Sequence, residues 1–192
     1  RTPSSRFDCV NIPRQCLENY FGGLNKQCIA AYRNGDRDGV VRLSSRLLEL
    51  LDDIDLLVAT DTYFLLGKWI SDARKMGTTP AEKDYFEYDA RNILTTWGGR
   101  GYSLNDYANR TWSGLVSGYY KERWKRFYDR LQSGGKLDEE SLLQELQDFE
   151  WEWVGQKDRF AERPRGDAYK LCQSLYAKYA VAIDRFHTEM TK

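Results

Sequence analysis

Trp97, Tyr102, Asp106 and Tyr107 crowd into one stretch, TTWGGRGYSLNDYANR, where aromatic residues flank a glycine-rich run and a carboxylate. Aromatic faces beside polar groups that fix orientation suit a sugar: the rings cover its apolar face and the carboxylate accepts from its hydroxyls. Trp97, Asp106 and Tyr107 are therefore the candidate substrate-binding residues. The same residue types at helical spacing also build ordinary cores, so the assignment depends on the elements that carry them. Asp106 and Arg110 have the i,i+4 spacing of a helical ion pair, which on a surface is worth little.

Other residues offer less. The lone histidine, His187, lies near the C-terminus, and one terminal histidine supports no Ser–His–Asp set. Glu139 and Glu140 read as a solvated helix start favoured by the helix dipole. Cys9, Cys16, Cys28 and Cys172 form no CxxC pair, which argues against zinc. If Cys16 and Cys28 share one straight helix they are roughly 18 Å apart, beyond disulfide reach. The GGRG run follows no strand, so it does not read as a phosphate cradle. Asn109-Arg110-Thr111 has the N-glycosylation pattern, but a mid-helix position opposes modification. No metal or cofactor is implied.

The elements that must position these residues are helices. The apolar period is near 3.6 and β-branched runs are few. The expectation is an all-α bundle of about seven mostly antiparallel helices, a single domain over 1–192, with short connections. A first helix is expected from Ile12 to Arg33, with Pro13 at an early, tolerated position and a kink at Gly22–Gly23. A second buries Leu43, Leu47, Leu50, Ile54 and Leu57, leaving Asp52, Asp53 and Asp55 mainly to water. A third spans 65–75. Thr79, Pro80 and Glu82 form a capping box before a fourth, which ends near Trp97. Ser103 and Asp106 open a fifth helix over 104–132, apolar on most sides and so central. Gly114 and Gly118, costly inside a helix, mark a tight helix crossing there. A sixth helix starts at Asp138 or Ser141 and runs to Phe160. A seventh is capped by Asp167.

Charge is balanced, with 29 Lys and Arg against 29 Asp and Glu, so no basic field points to nucleic acid or an anionic membrane. No apolar run approaches the roughly 20 residues of a transmembrane helix. The length suffices for a sizeable core. The start at Arg1, without an initiator Met, reads as a piece of a longer protein.

A set of short motifs runs in order along the chain: FDCVNIPRQCL, FLLGKW, Ala90-Arg91, Trp97-Gly98, DYANR, Gly114-Leu115, Tyr119-Tyr120, Arg123-Trp124 and PRGD. In this order and spacing they resemble the C-terminal helical domain of α-N-acetylglucosaminidases, glycoside hydrolase family 89. Departures are local: Cys9 stands for a usual Leu and Pro13 for a usual Thr. The resemblance implies a retaining exo-glycosidase that releases terminal α-linked N-acetylglucosamine from glycans. Its two catalytic glutamates sit on a (β/α)-barrel that precedes the helical domain. This chain shows no strand–helix alternation, so no catalytic residue is assigned to it, and it is expected to be inactive alone. The implied partners are that upstream barrel and the glycan. The implied compartment is secreted, periplasmic or lysosomal. The residues alone leave open a free-standing helical module that binds glycan or protein without chemistry.

Overall fold

The computed structural model describes residues 3–101 and 104–190. Seven α-helices account for most of them: α1 (Pro3–Arg33), α2 (Arg37–Val58), α3 (Leu66–Arg74), α4 (Pro80–Leu94), α5 (Lys121–Gln132), α6 (Glu139–Gly155) and α7 (Ala168–Met190). A 3-10 turn (Thr62–Phe64) precedes α3, and a π-helical turn (Val116–Tyr120) leads straight into α5. No strand occurs among the described residues; Leu65 and Ser113 form a single isolated bridge. Tyr102 and Ser103 lie outside the described residues, as does the side chain of His187.

The caps explain most boundaries. Asp36 accepts from the N–H of Gly39 and starts α2. Thr79 and Glu82 complete the reciprocal capping box of α4, with Pro80 at its first turn. Asp138 caps α6 and Asp167 caps α7. Helix α1 starts earlier than the sequence pattern suggests and runs unbroken through Gly22 and Gly23, so Pro13 lies in its interior. Tertiary contact offsets the lost hydrogen bond. In the extra turns, Phe7 stacks on Phe64 at 5.4 Å, Val10 is fully buried, and Arg6 donates to the Thr60 carbonyl.

Two apolar clusters form the interior. One joins α1, α2, α5 and α7 through Leu17, Leu24, Leu47, Ile54, Tyr128 and Leu175. The other joins α3, α4 and α6 through Leu66, Ile70, Leu94, Phe149 and Trp153. Val116 belongs to the first, Leu115 and Tyr119 to the second, and Trp112 and Tyr120 pack against both. The segment leading into α5 is thus central, but its helix begins at 116, not at 104.

Residues 104–108 form turns and 109–112 are irregular, with Ser113 in the bridge to Leu65, although the apolar spacing is helical. Asn105, Asp106, Asn109, Ser113 and Gly114 are turn formers, and tertiary contacts draw on that chemistry rather than on the period. Gly114 stands at φ +88, which no helix accommodates. Neither Gly114 nor Gly118 marks a tight crossing of backbones: Gly114 faces the Phe160 ring in the strap after α6, and Gly118 meets only the side chains of Phe160 and of Trp153 of α6, each at 3.8 Å. That strap also corrects α6, which ends at Gly155 because Gln156 turns extended.

The acidic cluster of α2 is not left to water. Asp52 accepts from Lys121 (2.7 Å), and Asp53 from Lys178 and the Tyr179 hydroxyl (2.6 Å each). Asp55 accepts from the Ser113 hydroxyl (3.1 Å) and from the backbone N–H groups of Gly114 (2.8 Å) and Ser117 (3.1 Å). A carboxylate from α2 therefore caps the π-helical turn from outside its own chain segment. Asp55→Ala is expected to destabilise by about 2 kcal/mol, or about 4–8 °C in Tm, with Asp55→Asn recovering part. A thermal melt of Asp55→Ala within about one degree of the parent would refute the capping role.

Candidate functional site

The chain leaves α4 through tight turns. The Trp97 N–H donates to the Asn92 carbonyl (2.8 Å), and the Asn92 side chain donates to the Gly98 carbonyl (2.7 Å). These bonds hold Trp97 at φ 56. Asp106 stands at φ 61, with its N–H on the Thr95 carbonyl (2.7 Å) and its own carbonyl accepting from Asn109 (3.0 Å). Trp97 and Asp106 are the only non-glycine residues at positive φ among those described. That conformation costs on the order of 1 kcal/mol and concentrates at functional sites.

The two turns bring Trp97 and Tyr107 together. Their ring centroids are 5.0 Å apart with planes inclined by 54°. Trp97 is half-buried and Tyr107 is 71% exposed, so the pair forms an open aromatic rim. Trp97, Asp106 and Tyr107 thus share one place, as their sequence proximity suggested. The Asp106–Arg110 pair does not form. A helix over 104–110 would have been needed for it; instead Arg110 donates to the carbonyls of Ala108 and Asn109.

Asp106 links the rim to the interior. Arg123 Nη1 donates to Asp106 Oδ2 (2.6 Å), and Arg123 Nε faces Glu150 Oε1 at 3.0 Å. Asn105 Nδ2 donates to the other oxygen of Glu150. The Arg123 guanidinium lies 5.2 Å from the centre of the Tyr119 ring. Two carboxylates therefore share one guanidinium. Glu150 is only 3% exposed, and burial pushes its pKa above the ordinary carboxylate value, against the pull of Arg123. Burial raises the hydroxyls of Tyr119 and Tyr120 as well.

Among the described residues, four buried side-chain atoms have no hydrogen-bond partner: Asn105 Oδ1, Asp106 Oδ1, and the hydroxyls of Tyr119 and Tyr120. All four belong to this cluster or adjoin it. Buried unmet polar groups are few in native proteins and call for a ligand, a water or a function. The π-helical turn that carries Tyr119 and Tyr120 is itself a form found often at functional sites. Arg123, Glu150 and Asn105 escaped the sequence reading. One signal was available: Glu150 interrupts the apolar run between Phe149 and Trp153, a carboxylate on a buried face.

A cleft of about 470 Å³ adjoins the same segment, lined by Arg14, Glu18, Phe64, Arg110, Trp112 and Tyr120. Glu18 accepts there from Arg14 (2.6 Å) and from the Thr111 hydroxyl. Its volume lies in the range of small-ligand sites. Among the described residues no cluster of three or more His, Cys, Asp or Glu is placed to hold a metal, and no helix is long and apolar enough to cross a membrane.

Fold and loop together define an all-α domain with one strained, aromatic-rimmed loop set over a buried polar cluster. The family described as the alpha-N-acetylglucosaminidase (NAGLU) C-terminal domain matches residues 1–178, and the chain belongs to that family. The chain is 32% identical over 183 residues to the alpha-N-acetylglucosaminidase of Homo sapiens, a match that covers 93% of the chain and 24% of that protein. Its structure is similar to that of a family 89 glycoside hydrolase from Clostridium perfringens in complex with 2-acetamido-1,2-dideoxynojirmycin. There the TM-score is 0.83 at 30% identity, over 93% of this chain and 21% of that one. A form of the Clostridium enzyme with two Glu-to-Gln substitutions, in complex with its substrate GlcNAc-α-1,4-galactose, aligns with a TM-score of 0.81 at 31% identity. That match covers 90% of this chain and 21% of the other. The chain thus spans less than a quarter of the length of each of these relatives.

Proposed function

We propose that the chain serves as a single helical domain in a retaining α-N-acetylglucosaminidase, an exo-glycosidase releasing terminal α-linked N-acetylglucosamine. Retaining hydrolysis needs two carboxyl groups about 5–5.5 Å apart, one nucleophile and one acid/base. Those are assigned to a barrel domain of the parent enzyme, and the helical domain walls its cleft. The observation that carries this reading is the strained loop. Trp97 and Asp106 hold positive φ, and the result is an exposed ring pair anchored from beneath by the Asp106–Arg123 ion pair. Such a rim suits the apolar face and the hydroxyls of a sugar. Asp106 binds Arg123 through one oxygen and its Oδ1 is buried, so the carboxylate holds the rim from beneath. Support for the sugar comes from the family and from the Clostridium relative, whose substrate is GlcNAc-α-1,4-galactose.

Trp97→Ala and Tyr107→Ala, made in the full-length parent enzyme, test the reading. Covering one apolar face is worth about 1.5–3 kcal/mol, so kcat/KM on an α-N-acetylglucosaminide should fall by roughly 10- to 100-fold in each. Unchanged kcat/KM in both, with folding intact, would remove the rim from the substrate cleft. Binding of the glycan without hydrolysis by the intact parent would point instead to a non-catalytic module.

A further inference from the structure

The rim is held by a residue that never reaches it. Tyr107 is the residue next to Asp106, so the Asp106 backbone conformation sets where the Tyr107 ring goes. Asp106 in the left-handed region is costly on its own. Three bonds hold it there: its N–H on Thr95, its carbonyl on Asn109, and its carboxylate on Arg123. The first ties the loop to the C-cap of α4, and the second is a turn within it. The third ties the loop to α5 through a side chain, because Arg123 lies in the first turn of that helix. Glu150 of α6 holds Arg123 from the other side (3.0 Å), with Asn105 closing the set. The guanidinium is a rigid planar fork that can address two carboxylates at once, which a lysine ammonium on a flexible stem does not reproduce. Tyr119, fully buried, lies against the same guanidinium and restricts its rotamers.

We propose that Arg123, backed by Glu150, is a positioning residue for the glycosidase reaction: it fixes Asp106, and through Asp106 the Trp97–Tyr107 rim, in the geometry that receives the sugar. The proposal rests on the reading that this rim meets substrate. It assigns Arg123 no contact with the sugar. It also accounts for a loop of turns, rather than a helix, carrying the rim: α5 and α6 supply the rigidity that the loop lacks.

The test is a double-mutant cycle between Arg123→Met and Tyr107→Ala in the full-length parent enzyme, read as kcat/KM on a chromogenic α-N-acetylglucosaminide. If Arg123 acts through the rim, Arg123→Met lowers kcat/KM by roughly 10-fold or more with Tyr107 in place and by less than about 3-fold once Tyr107 is alanine, a coupling within the range for residues in one network. Arg123→Lys, which keeps the charge without the fork, recovers part of the loss. Should Arg123→Met fail to fold, Arg123→Lys takes its place in the cycle. Equal losses in both backgrounds would overturn the proposal and leave the rim reading standing, since Tyr107→Ala would still cost activity. A Tyr107→Ala enzyme with unchanged kcat/KM would overturn the proposal, and the same result for Trp97→Ala as well would overturn the rim reading too. A loss that vanishes with Tyr107 is an outcome that a merely structural arginine does not produce.

Discussion

Replacing Arg91 by methionine is expected to cost about 3 kcal/mol of stability, toward the lower end of the range for breaking a buried ion pair, and about 6–12 °C in Tm. Arg91 is fully buried, and its carboxylate partner Glu87 is 1% exposed. The guanidinium binds Glu87 Oε1 through two nitrogens (3.1 and 3.2 Å) and donates to the carbonyls of Trp153 (3.3 Å) and Asp158 (3.2 Å). It also lies over the rings of Trp153 (4.8 Å) and Phe160 (5.2 Å). One side chain therefore joins α4, the C-terminus of α6 and the strap that follows it. Burial lowers the Arg91 pKa, and Glu87 counters that shift. Removing the charge leaves Glu87 with Arg74 alone (2.6 Å) and strips two carbonyls of a donor. Arg91→Lys should fall between parent and Arg91→Met, because an ammonium cannot make the fork and the carbonyl bonds together. Urea unfolding of Arg91→Met within about 1 kcal/mol of the parent would show that the strap does not depend on this residue.

Gly67→Ala is the second large effect. In α3, a Cβ at Gly67 would stand 2.4 Å from the Ala161 carbonyl oxygen and 2.6 Å from that of Phe160. These are backbone atoms of the strap, so they cannot rotate away. Alanine is otherwise the better helix former by about 1 kcal/mol, and overpacking costs about 1–3 kcal/mol. Fixed backbone atoms put the clash at the upper end of that range, so the net loss is expected to be about 2 kcal/mol, with the strap displaced from α3. Gly118→Ala is the control. Its Cβ would meet only Phe160 and Trp153 side-chain atoms at 3.8 Å, ordinary contact, so its stability should match or exceed that of the parent. A Gly67→Ala protein as stable as Gly118→Ala would mean that the 160–161 backbone yields freely. Gly67 lies within the FLLGKW motif, so the sequence marked the position without showing what it touches.

Particular residues show why part of the architecture could be read from the chain. Of the stripe Leu43, Leu47, Leu50, Ile54 and Leu57, the last four are fully or nearly fully buried and Leu43 is half-buried, because a helical period of 3.6 puts those positions on one face whatever the neighbour is. Thr79 and Glu82 cap α4 because a capping box is closed within four residues. The fifth helix went the other way. Its apolar spacing is real, yet Asp55 from α2 and Phe64 from the 3-10 turn hold Ser113 and Gly114 in another conformation (2.8 Å for each backbone bond). Partners 49 and 59 residues away leave no trace in a window of eighteen. Asp53 and Asp55 looked solvated for the same reason: what satisfies them comes from α7 and from the 113–117 segment.

At the site, sequence alone determined the residue types and their proximity. Trp97, Asp106 and Tyr107 lie close along the chain, and the ordered motifs place that chain in its family, because local composition and spacing are one-dimensional properties. Tertiary structure alone decided that Asp106 pairs with Arg123 and not Arg110, that Glu150 stands behind Arg123, and that Trp97 and Asp106 bend to positive φ so that two rings meet at 5.0 Å. The physical reason is cost. A left-handed Asp and a buried Glu are each unfavourable locally, and they persist only where distant helices supply the guanidinium and the packing that offset them.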